Sequence, residues 1–169
     1  MVTLYNVVSE DGYIADKNGS EHFIPDRLWP TTLNLFKKYD ALVMGRKTYD
    51  AMQKYPRELL KPFEKLSLKK VVVTSNKKDF HPNPQLGYVV VHSPQDALSS
   101  GTNVLVSSGP TLNTFFLKNN LVDQVIFHKV PVNIGEGIKP FDIDMKTVLV
   151  SVSETTLEEG AKELTYQVL

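Results

Sequence analysis

The stretch ALVMGRKTY, residues 41–49, leads from an apolar run directly into a glycine, two cations and a hydroxyl side chain. The run Ala41–Met44 has the length and composition of a buried strand, and Lys47–Gln53 has a helical pattern. Glycine lets a backbone approach an anion closely, and the first free amides of a helix point toward it. The stretch therefore predicts a strand, turn and helix that bind phosphate. The residues of this predicted site are Gly45, Arg46, Lys47 and Thr48.

A second interpretation of the same stretch needs no ligand. Arg46 and Lys47 would then be the solvated first turn of a helix, and Thr48 would cap it. Because this stretch alone is consistent with both interpretations, the ends of the other strands matter.

Apolar runs of the same kind recur along the chain, and each ends in polar residues or glycine. They are Val2–Val8, Val71–Thr74, Tyr88–Val91 and Val104–Ser107. Helical patterns lie between the runs, at Asp26–Lys38, Lys47–Gln53 and Thr111–Asn119. Within the first of these, Pro30 must lie in the first turn or break the helix. Short valine-rich strands that alternate with helices predict an α/β fold with parallel strands and crossover helices.

The C-terminal part of the chain adds three more strand patterns, at Val122–Val130, Val148–Val152 and Glu163–Leu169. The last of these is expected to close the sheet as an antiparallel strand, so that the final elements form a hairpin-like edge. The sequence has no internal repeat and no linker composition. Residues 1–169 are therefore expected to form one domain.

Two further strand ends carry small polar side chains. They are Thr74, Ser75 and Asn76, with the cation Lys77, after one run, and Ser108, Gly109 and Thr111 after another. In an open parallel sheet, ligands bind beyond the carboxyl ends of the strands. The three strand ends together predict one site for a phosphorylated nucleotide, although each end taken alone is also typical of a surface turn.

Composition limits the possible partners. Nineteen basic and nineteen acidic residues cancel, so no net field attracts nucleic acid or an anionic membrane, and a small-molecule substrate is expected. The absence of cysteine excludes disulfides and thiolate nucleophiles, and the four histidines lack metal-site spacing, so no metal is expected. The N-terminal apolar run is too short to cross a bilayer and has no basic segment before it, so the expected location is cytoplasmic.

Taken together, these motifs resemble those of the dihydrofolate reductase-like proteins, in particular the reductase domain of bacterial riboflavin biosynthesis. The resemblance extends over nearly the whole chain. The motifs are SEDGYIA at 9–15, MGRKTY at 44–49, TSN at 74–76, SGPTL at 108–112, LVDQ at 121–124 and PVNIGEG at 131–137. The resemblance implies a three-layer fold, with helices on both faces of a mostly parallel sheet that has an antiparallel C-terminal edge.

The resemblance also implies hydride transfer from NADPH to a conjugated C=N or C=O group of a heterocyclic or sugar-derived substrate. It implies that the adenosine phosphates contact Arg46, Lys47, Thr48, Thr74 and Ser75, with Asn76 near the 2′-phosphate. It places Ser108, Gly109 and Thr111 at the pyrophosphate, and Ile14 and Ala15 at the nicotinamide. A homodimer through the distal strands is expected by analogy with the riboflavin-type branch.

Three positions depart from the riboflavin-type pattern. Tyr5 stands where that branch has a lysine, Ser107 where it has an acid, and Ser108 where it has the first glycine of a pair. The loss of two charged groups argues against the ribosylaminopyrimidine of riboflavin synthesis as substrate. Two functions stay open: a reductase of a dihydrofolate-like or riboflavin-precursor-like compound, and a degenerate member that binds a nucleotide without turnover.

Two carboxylates are candidates for the catalytic acid, Asp11 and Asp26. Asp26 lies near the first helix, where a dihydrofolate reductase needs a buried carboxylate, but a helix cap is the competing interpretation. Asp11 precedes Gly12, so a turn aspartate is about as well supported as a contact with substrate.

Overall fold

The computed structural model describes residues 1–76 and 80–169. The predicted cation Lys77 lies outside these residues. In chain order the strands are β1 Val2–Ser9, β2 Ala15–Asp16, β3 Ala41–Gly45, β4 Lys69–Val73, β5 Tyr88–Val91, β6 Val104–Val106, β7 Gln124–Val130, β8 Gly137–Ile138, β9 Leu149–Thr156 and β10 Lys162–Val168. Eight of them form one sheet in the order β5-β4-β3-β6-β1-β7-β10-β9, and β2 pairs with β8.

The direction of the strands confirms the predicted fold class. From β5 to β7 every neighbouring pair is parallel, whereas β10 runs antiparallel to both β7 and β9. The predicted strand Val148–Val152 was too short, because β9 continues to Thr156 opposite Lys162. Most of β9 is exposed, and its second half is polar. Its apolar pattern therefore ends before its hydrogen-bonded pairing with β10 ends.

The helices are α1 Trp29–Phe36, α2 Arg46–Met52, α3 Arg57–Glu64, α4 Pro94–Leu98, α5 Pro110–Lys118 and α6 Met145–Val148. Short 3-10 turns cover Asp26–Leu28, Pro84–Leu86 and Glu158–Gly160. The predicted helix Asp26–Lys38 is thus divided into a 3-10 turn and α1, and Pro30 lies in the first turn of α1. Helices α4 and α6 were missed because each is too short to show a helical period over several turns. Helix α3 is as long as α1, but it contains Pro62, a residue that argues against a helix interior.

Side chains of the central strands alternate between two cores, one on each face of the sheet. Along β3, Val43 belongs to the core that includes residues of α4 and α5, whereas Leu42 and Met44 belong to the core that includes residues of α1, α2 and α3. This alternation follows from the period of two in a strand. The three-layer arrangement is therefore confirmed, and the carboxyl ends of the parallel strands lie at one edge of the sheet.

Candidate functional site

A cleft of about 800 Å³ opens at this carboxyl edge. Buried residues of β1 and β3, together with the turn 107–109, form its floor. Helices α1 and α2 line its sides, and the largely exposed loop 18–26 borders it. The cleft therefore lies where ligands bind in open parallel sheets.

The turn at the floor of the cleft is held by hydrogen bonds from three directions. Ser108 Oγ accepts from the backbone N of Gly45 at 3.0 Å. The carbonyl of Ser108 accepts from Asn6 Nδ2 at 2.9 Å and from Asn113 Nδ2 at 3.0 Å. Because the serine hydroxyl has a defined partner, serine fits this turn in place of the glycine of the riboflavin-type pattern.

A smaller pocket of about 390 Å³ lies beside the carboxyl ends of β4 and β5, and Asn76 and Phe80 line it. The guanidinium of Arg46 lies 3.8 Å from the centre of the Phe80 ring. The carbonyl of Thr74 can only accept, so His92 Nδ1 donates to it, with 3.0 Å between the atoms. Helix α2 therefore contributes to both cavities, since Thr48 lines the larger cleft.

The structure places the predicted cofactor residues along one edge of the sheet. Those that line the cleft are Ile14, Thr48, Ser108 and Gly109. At the second pocket, Asn76 lines the cavity and Arg46 contacts Phe80. The others lie at nearby strand and helix ends, namely Gly45, Lys47, Thr74, Ser75 and Thr111, while Ala15 is buried in β2. These residues thus lie around two neighbouring cavities rather than in one.

Asp11 lies in a turn. Its carboxylate accepts from Ser9 Oγ at 2.6 Å and from the backbone N atoms of Ile134 and Gly135 at 3.2 and 2.7 Å. The hydrogen bond from Ser9, helped by these amides, lowers the pKa of Asp11. Asp11 is therefore an ionised carboxylate that links its own turn to the loop at 134–135, which favours the turn interpretation.

Asp26 borders the cleft and is exposed. The cap interpretation of Asp26 is wrong: it is the first residue of the 3-10 turn, and Pro25 occupies the N-cap position with an extended backbone, φ −72° and ψ 138°. Asp26 is exposed, whereas a dihydrofolate reductase requires a buried carboxylate on its first helix.

Aromatic side chains form part of the cleft wall. The indole Nε1 of Trp29 donates to the carbonyl of Leu59 at 2.8 Å, and the hydroxyl of Tyr55 donates to Glu21 Oε2 at 2.6 Å. Both rings line the cleft and meet edge to face, with 6.1 Å between their centroids. These bonds fix the orientation of the two rings, which suits them to pack against a flat ligand.

A buried chain of polar side chains was not predicted. The hydroxyl of Tyr5 lies 2.9 Å from Thr32 Oγ1 and 2.9 Å from His128 Nδ1. On its other side, His128 Nε2 lies 2.9 Å from Glu163 Oε2. Tyr5 and Thr32 line the cleft. The chain therefore leads from the cleft, across β1 and β7, to β10.

Burial sets the protonation of this chain. It raises the pKa of the Tyr5 hydroxyl and lowers the pKa of His128, although Glu163 opposes the second shift. Both side chains are therefore mainly neutral at neutral pH. In the sequence, Tyr5 and His128 each lie inside an apolar strand pattern. Either residue taken alone is typical of a core side chain whose polar atom has a hydrogen-bond partner.

Within residues 1–76 and 80–169, histidine and acidic side chains do not come together in groups of three or more that would suit a metal ion. None of the helices in these same ranges combines the length and apolar composition needed to cross a membrane.

Comparisons with known proteins agree with this architecture. The protein is 27% identical to YyaP of Bacillus subtilis (strain 168), an uncharacterized protein, over 94% of this chain and 90% of YyaP. Among solved structures, the dihydrofolate reductase of Enterococcus faecalis complexed with NADP(H) has a TM-score of 0.65 and 22% identity, covering 99% of this chain and 96% of that one.

A bifunctional enzyme of Thermotoga maritima is also similar. It is a diaminohydroxyphosphoribosylaminopyrimidine deaminase and 5-amino-6-(5-phosphoribosylamino)uracil reductase, with a TM-score of 0.73 and 16% identity. The match covers all of this chain and 56% of that enzyme. At these identities the structural likeness shows a shared, dihydrofolate reductase-like fold. The model of the RibD C-terminal domain family matches residues 1–164, and this protein therefore belongs to that family.

Proposed function

We propose that this protein is an NADPH-dependent reductase that transfers a hydride to a C=N or C=O group of a small heterocyclic substrate. The observation that carries the proposal is the position of the cleft: its floor includes the Ser108–Gly109 turn, where helix α5 begins at the carboxyl edge of the sheet. Its volume of about 800 Å³ is within the range of small-molecule sites, roughly 300–1,000 Å³.

The residues at this edge fit a phosphorylated dinucleotide. A Cβ added to Gly109 would meet no described atom within 4 Å, so an anion has room to approach the backbone. Among the described side chains none caps the start of α5. Because Pro110 has no N–H, the amides available to a pyrophosphate are those of Thr111 and Leu112. Arg46 and Lys47 add positive charge at the start of α2.

The proposed contacts follow from these positions. Ser108, Gly109 and Thr111 hold the pyrophosphate, and Ile14 and Ala15 lie on the nicotinamide side. Arg46, Lys47, Thr48, Thr74 and Ser75 hold the adenosine phosphates, with Asn76 toward the 2′-phosphate. When bound, NADPH supplies the hydride. The residues of this chain orient the two reacting rings and exclude water from between them.

The named relatives support the cofactor and the substrate class. The Enterococcus faecalis enzyme is complexed with NADP(H), and the Thermotoga maritima enzyme is a reductase of a substituted uracil. In this protein Tyr5 and Ser107 line the cleft at the positions where the riboflavin-type pattern has two charged groups. We therefore infer a flat heterocycle that is less charged than a phosphoribosylamino-uracil.

Equilibrium titration with NADPH, and separately with NADH, tests the cofactor. Oxidation of NADPH in the presence of 7,8-dihydrofolate, 6-methyl-7,8-dihydropterin or 2-methyl-1-pyrroline then tests for turnover. Preference for NADPH together with oxidation supports the reductase. If NADPH binds but none of these compounds oxidises it, the result favours a family member that binds the nucleotide without turnover. The exposed Asp26 and the turn position of Asp11 are consistent with that function. Failure to bind either cofactor overturns the proposal.

A further inference from the structure

The polar chain of Tyr5, Thr32, His128 and Glu163 connects the cleft to solvent. The exposed fraction is 2% for Tyr5, 3% for Thr32 and 0% for His128, whereas the side chain of Glu163 is 30% exposed. Each successive pair is separated by 2.9 Å. Polar side chains therefore connect water at β10 with the floor of the cleft, with no apolar side chain between them.

The direction of the hydrogen bonds follows from the chemistry of the groups. A carboxylate only accepts, so Glu163 accepts from His128 Nε2–H, and in a neutral imidazole Nδ1 is then an acceptor. The Tyr5 hydroxyl therefore donates to Nδ1 and accepts from Thr32. When His128 gains a second proton, Nδ1–H donates to Tyr5 instead, and the hydrogen of Tyr5 turns toward Thr32 and the cleft.

Hydride addition to a C=N or C=O group leaves a pair of electrons on nitrogen or oxygen that must take up a proton. The other ionisable side chains that line the cleft, Glu21, His22, Asp26 and Lys54, are all exposed, and Tyr55 already donates to Glu21. Tyr5 is the ionisable group on the buried floor. A closed site that excludes water needs its proton donor at such a position.

Resting on the reductase function proposed above, we propose that Tyr5 is the catalytic acid of this site, that His128 resupplies its proton and that Glu163 stabilises the imidazolium form of His128. As the hydride of NADPH forms the new C–H bond, the Tyr5 O–H bond breaks and its proton moves to the substrate nitrogen or oxygen. Nδ1–H of the imidazolium gives its proton to the Tyr5 oxygen, which leaves neutral His128. Nε2–H stays hydrogen-bonded to Glu163 throughout. After the product leaves, water in the open cleft returns one proton to Tyr5, and the proton that Tyr5 carried moves to Nδ1 of His128.

Several charged groups act on this imidazole from the elements around it. Glu163 on β10 and Glu158 before β10 favour the imidazolium, while Lys38 beyond α1 and burial itself oppose it. Tyr5 on β1 is its direct neighbour, and Tyr39 feels the charge of Glu163. Because the imidazolium is the reactive form, the turnover rate falls as pH rises through the pKa of His128.

The experiment compares Tyr5→Phe and Glu163→Gln with the wild type, using NADPH and the three probe compounds named above. Phenylalanine keeps the ring that packs on Phe36 but removes the proton, so we expect kcat to fall by about 100-fold with the Kd for NADPH unchanged.

In Glu163→Gln, loss of the carboxylate moves the descending limb of the pH profile to lower pH by about one unit. Glu154→Gln is the matched control, since Glu154 is an exposed carboxylate that pairs with Lys162, and its profile stays that of the wild type.

The outcomes separate the two proposals. If the wild type oxidises NADPH with none of the probes, the reductase function is overturned. If the wild type turns over and Tyr5→Phe keeps its rate within about threefold, well short of the loss of a general acid, the proton donor is overturned and the reductase stands. NMR of isotope-labelled histidine provides a readout without substrate: a neutral His128 protonated on Nδ1 rather than Nε2 also overturns the relay.

Discussion

The hydroxyl of Ser108 accepts a hydrogen bond from the backbone amide of Gly45, and 3.0 Å separates the two atoms. This bond joins the end of β3 to the turn after β6 at the floor of the cleft. Gly45 has φ −77° and ψ 162°, a conformation that any residue adopts. A Cβ at this position would lie 3.1 Å from Ser108 Oγ, so space, rather than backbone conformation, favours glycine.

Gly45→Ala should therefore destabilise the protein through Ser108. The added methyl group pushes the hydroxyl away from its partner, and we expect the free energy of unfolding in urea to fall by about 1–2 kcal/mol. In a Ser108→Ala background, Gly45→Ala should lower the free energy of unfolding by much less, because the Ser108 hydroxyl that the new methyl group would crowd is absent. Gly109→Ala is the control, with open space at its Cβ and an expected change within about 0.5 kcal/mol. Equal costs of Gly45→Ala in both backgrounds would contradict this coupling.

Arg46 should matter more for NADPH than for NADH. Its Nε donates to Asp50 at 2.9 Å, and its guanidinium stacks on Phe80 beside the second pocket, where the 2′-phosphate is proposed to lie. We expect Arg46→Ala to weaken NADPH binding by about tenfold, the effect of one lost charge-assisted hydrogen bond, and NADH binding by much less. Fluorescence titration measures both affinities.

Lys118→Ala is the control for that measurement, because Lys118 is an exposed cation at the opposite end of α5. An equal loss of NADPH and NADH affinity in Arg46→Ala would place Arg46 away from the 2′-phosphate. Unchanged affinity for both would remove Arg46 from the cofactor site.

The sequence was informative where a local pattern was enough. Valine-rich runs identified the parallel strands, and small polar residues after them identified the Ser108–Gly109 turn at the cleft. The polar chain was missed because Tyr5, His128 and Glu163 come together through the strand order β1-β7-β10, which no local period encodes. The loop contacts of Asp11 were missed for the same reason, since the amides that donate to it belong to Ile134 and Gly135, far along the chain.

Lys70 should be important for stability although it lies outside both cavities. It is fully buried, and its Nζ donates to the carbonyls of Leu66 and Leu86 at 2.8 Å each and of Glu64 at 3.3 Å. Burial lowers the pKa of Lys70, while Glu64 opposes the shift. Lys70→Met keeps the aliphatic stem but leaves these carbonyls without their donor, so we expect a loss of about 2–4 kcal/mol in the free energy of unfolding.

The control for Lys70 is Lys69→Met, on the same strand but exposed. Its effect should be within about 0.5 kcal/mol. Urea denaturation of both variants at neutral pH measures the difference, and a loss of less than about 1 kcal/mol for Lys70→Met would mean that water or neighbouring groups satisfy the carbonyls.

His128 should make the stability of the fold depend on pH. Burial, only partly opposed by Glu163, holds the pKa of His128 below its ordinary value of 6.5. Between that lowered pKa and 6.5 the unfolded chain binds more protons than the folded one, so the free energy of unfolding rises with pH. The stabilising contribution is complete above about pH 7 and is lost as pH falls through the lowered pKa, by about 1.4 kcal/mol for each unit of the shift.

Urea denaturation between about pH 8 and pH 5, in the wild type and in His128→Asn, isolates this contribution, because asparagine does not titrate but keeps an acceptor for Tyr5. We expect the wild type to lose more stability than the variant as pH falls. His22→Asn, at an exposed histidine, should follow the wild-type curve. Parallel curves for the wild type and His128→Asn would mean that His128 has the same proton affinity in the folded and unfolded chain, with Glu163 fully offsetting the effect of burial.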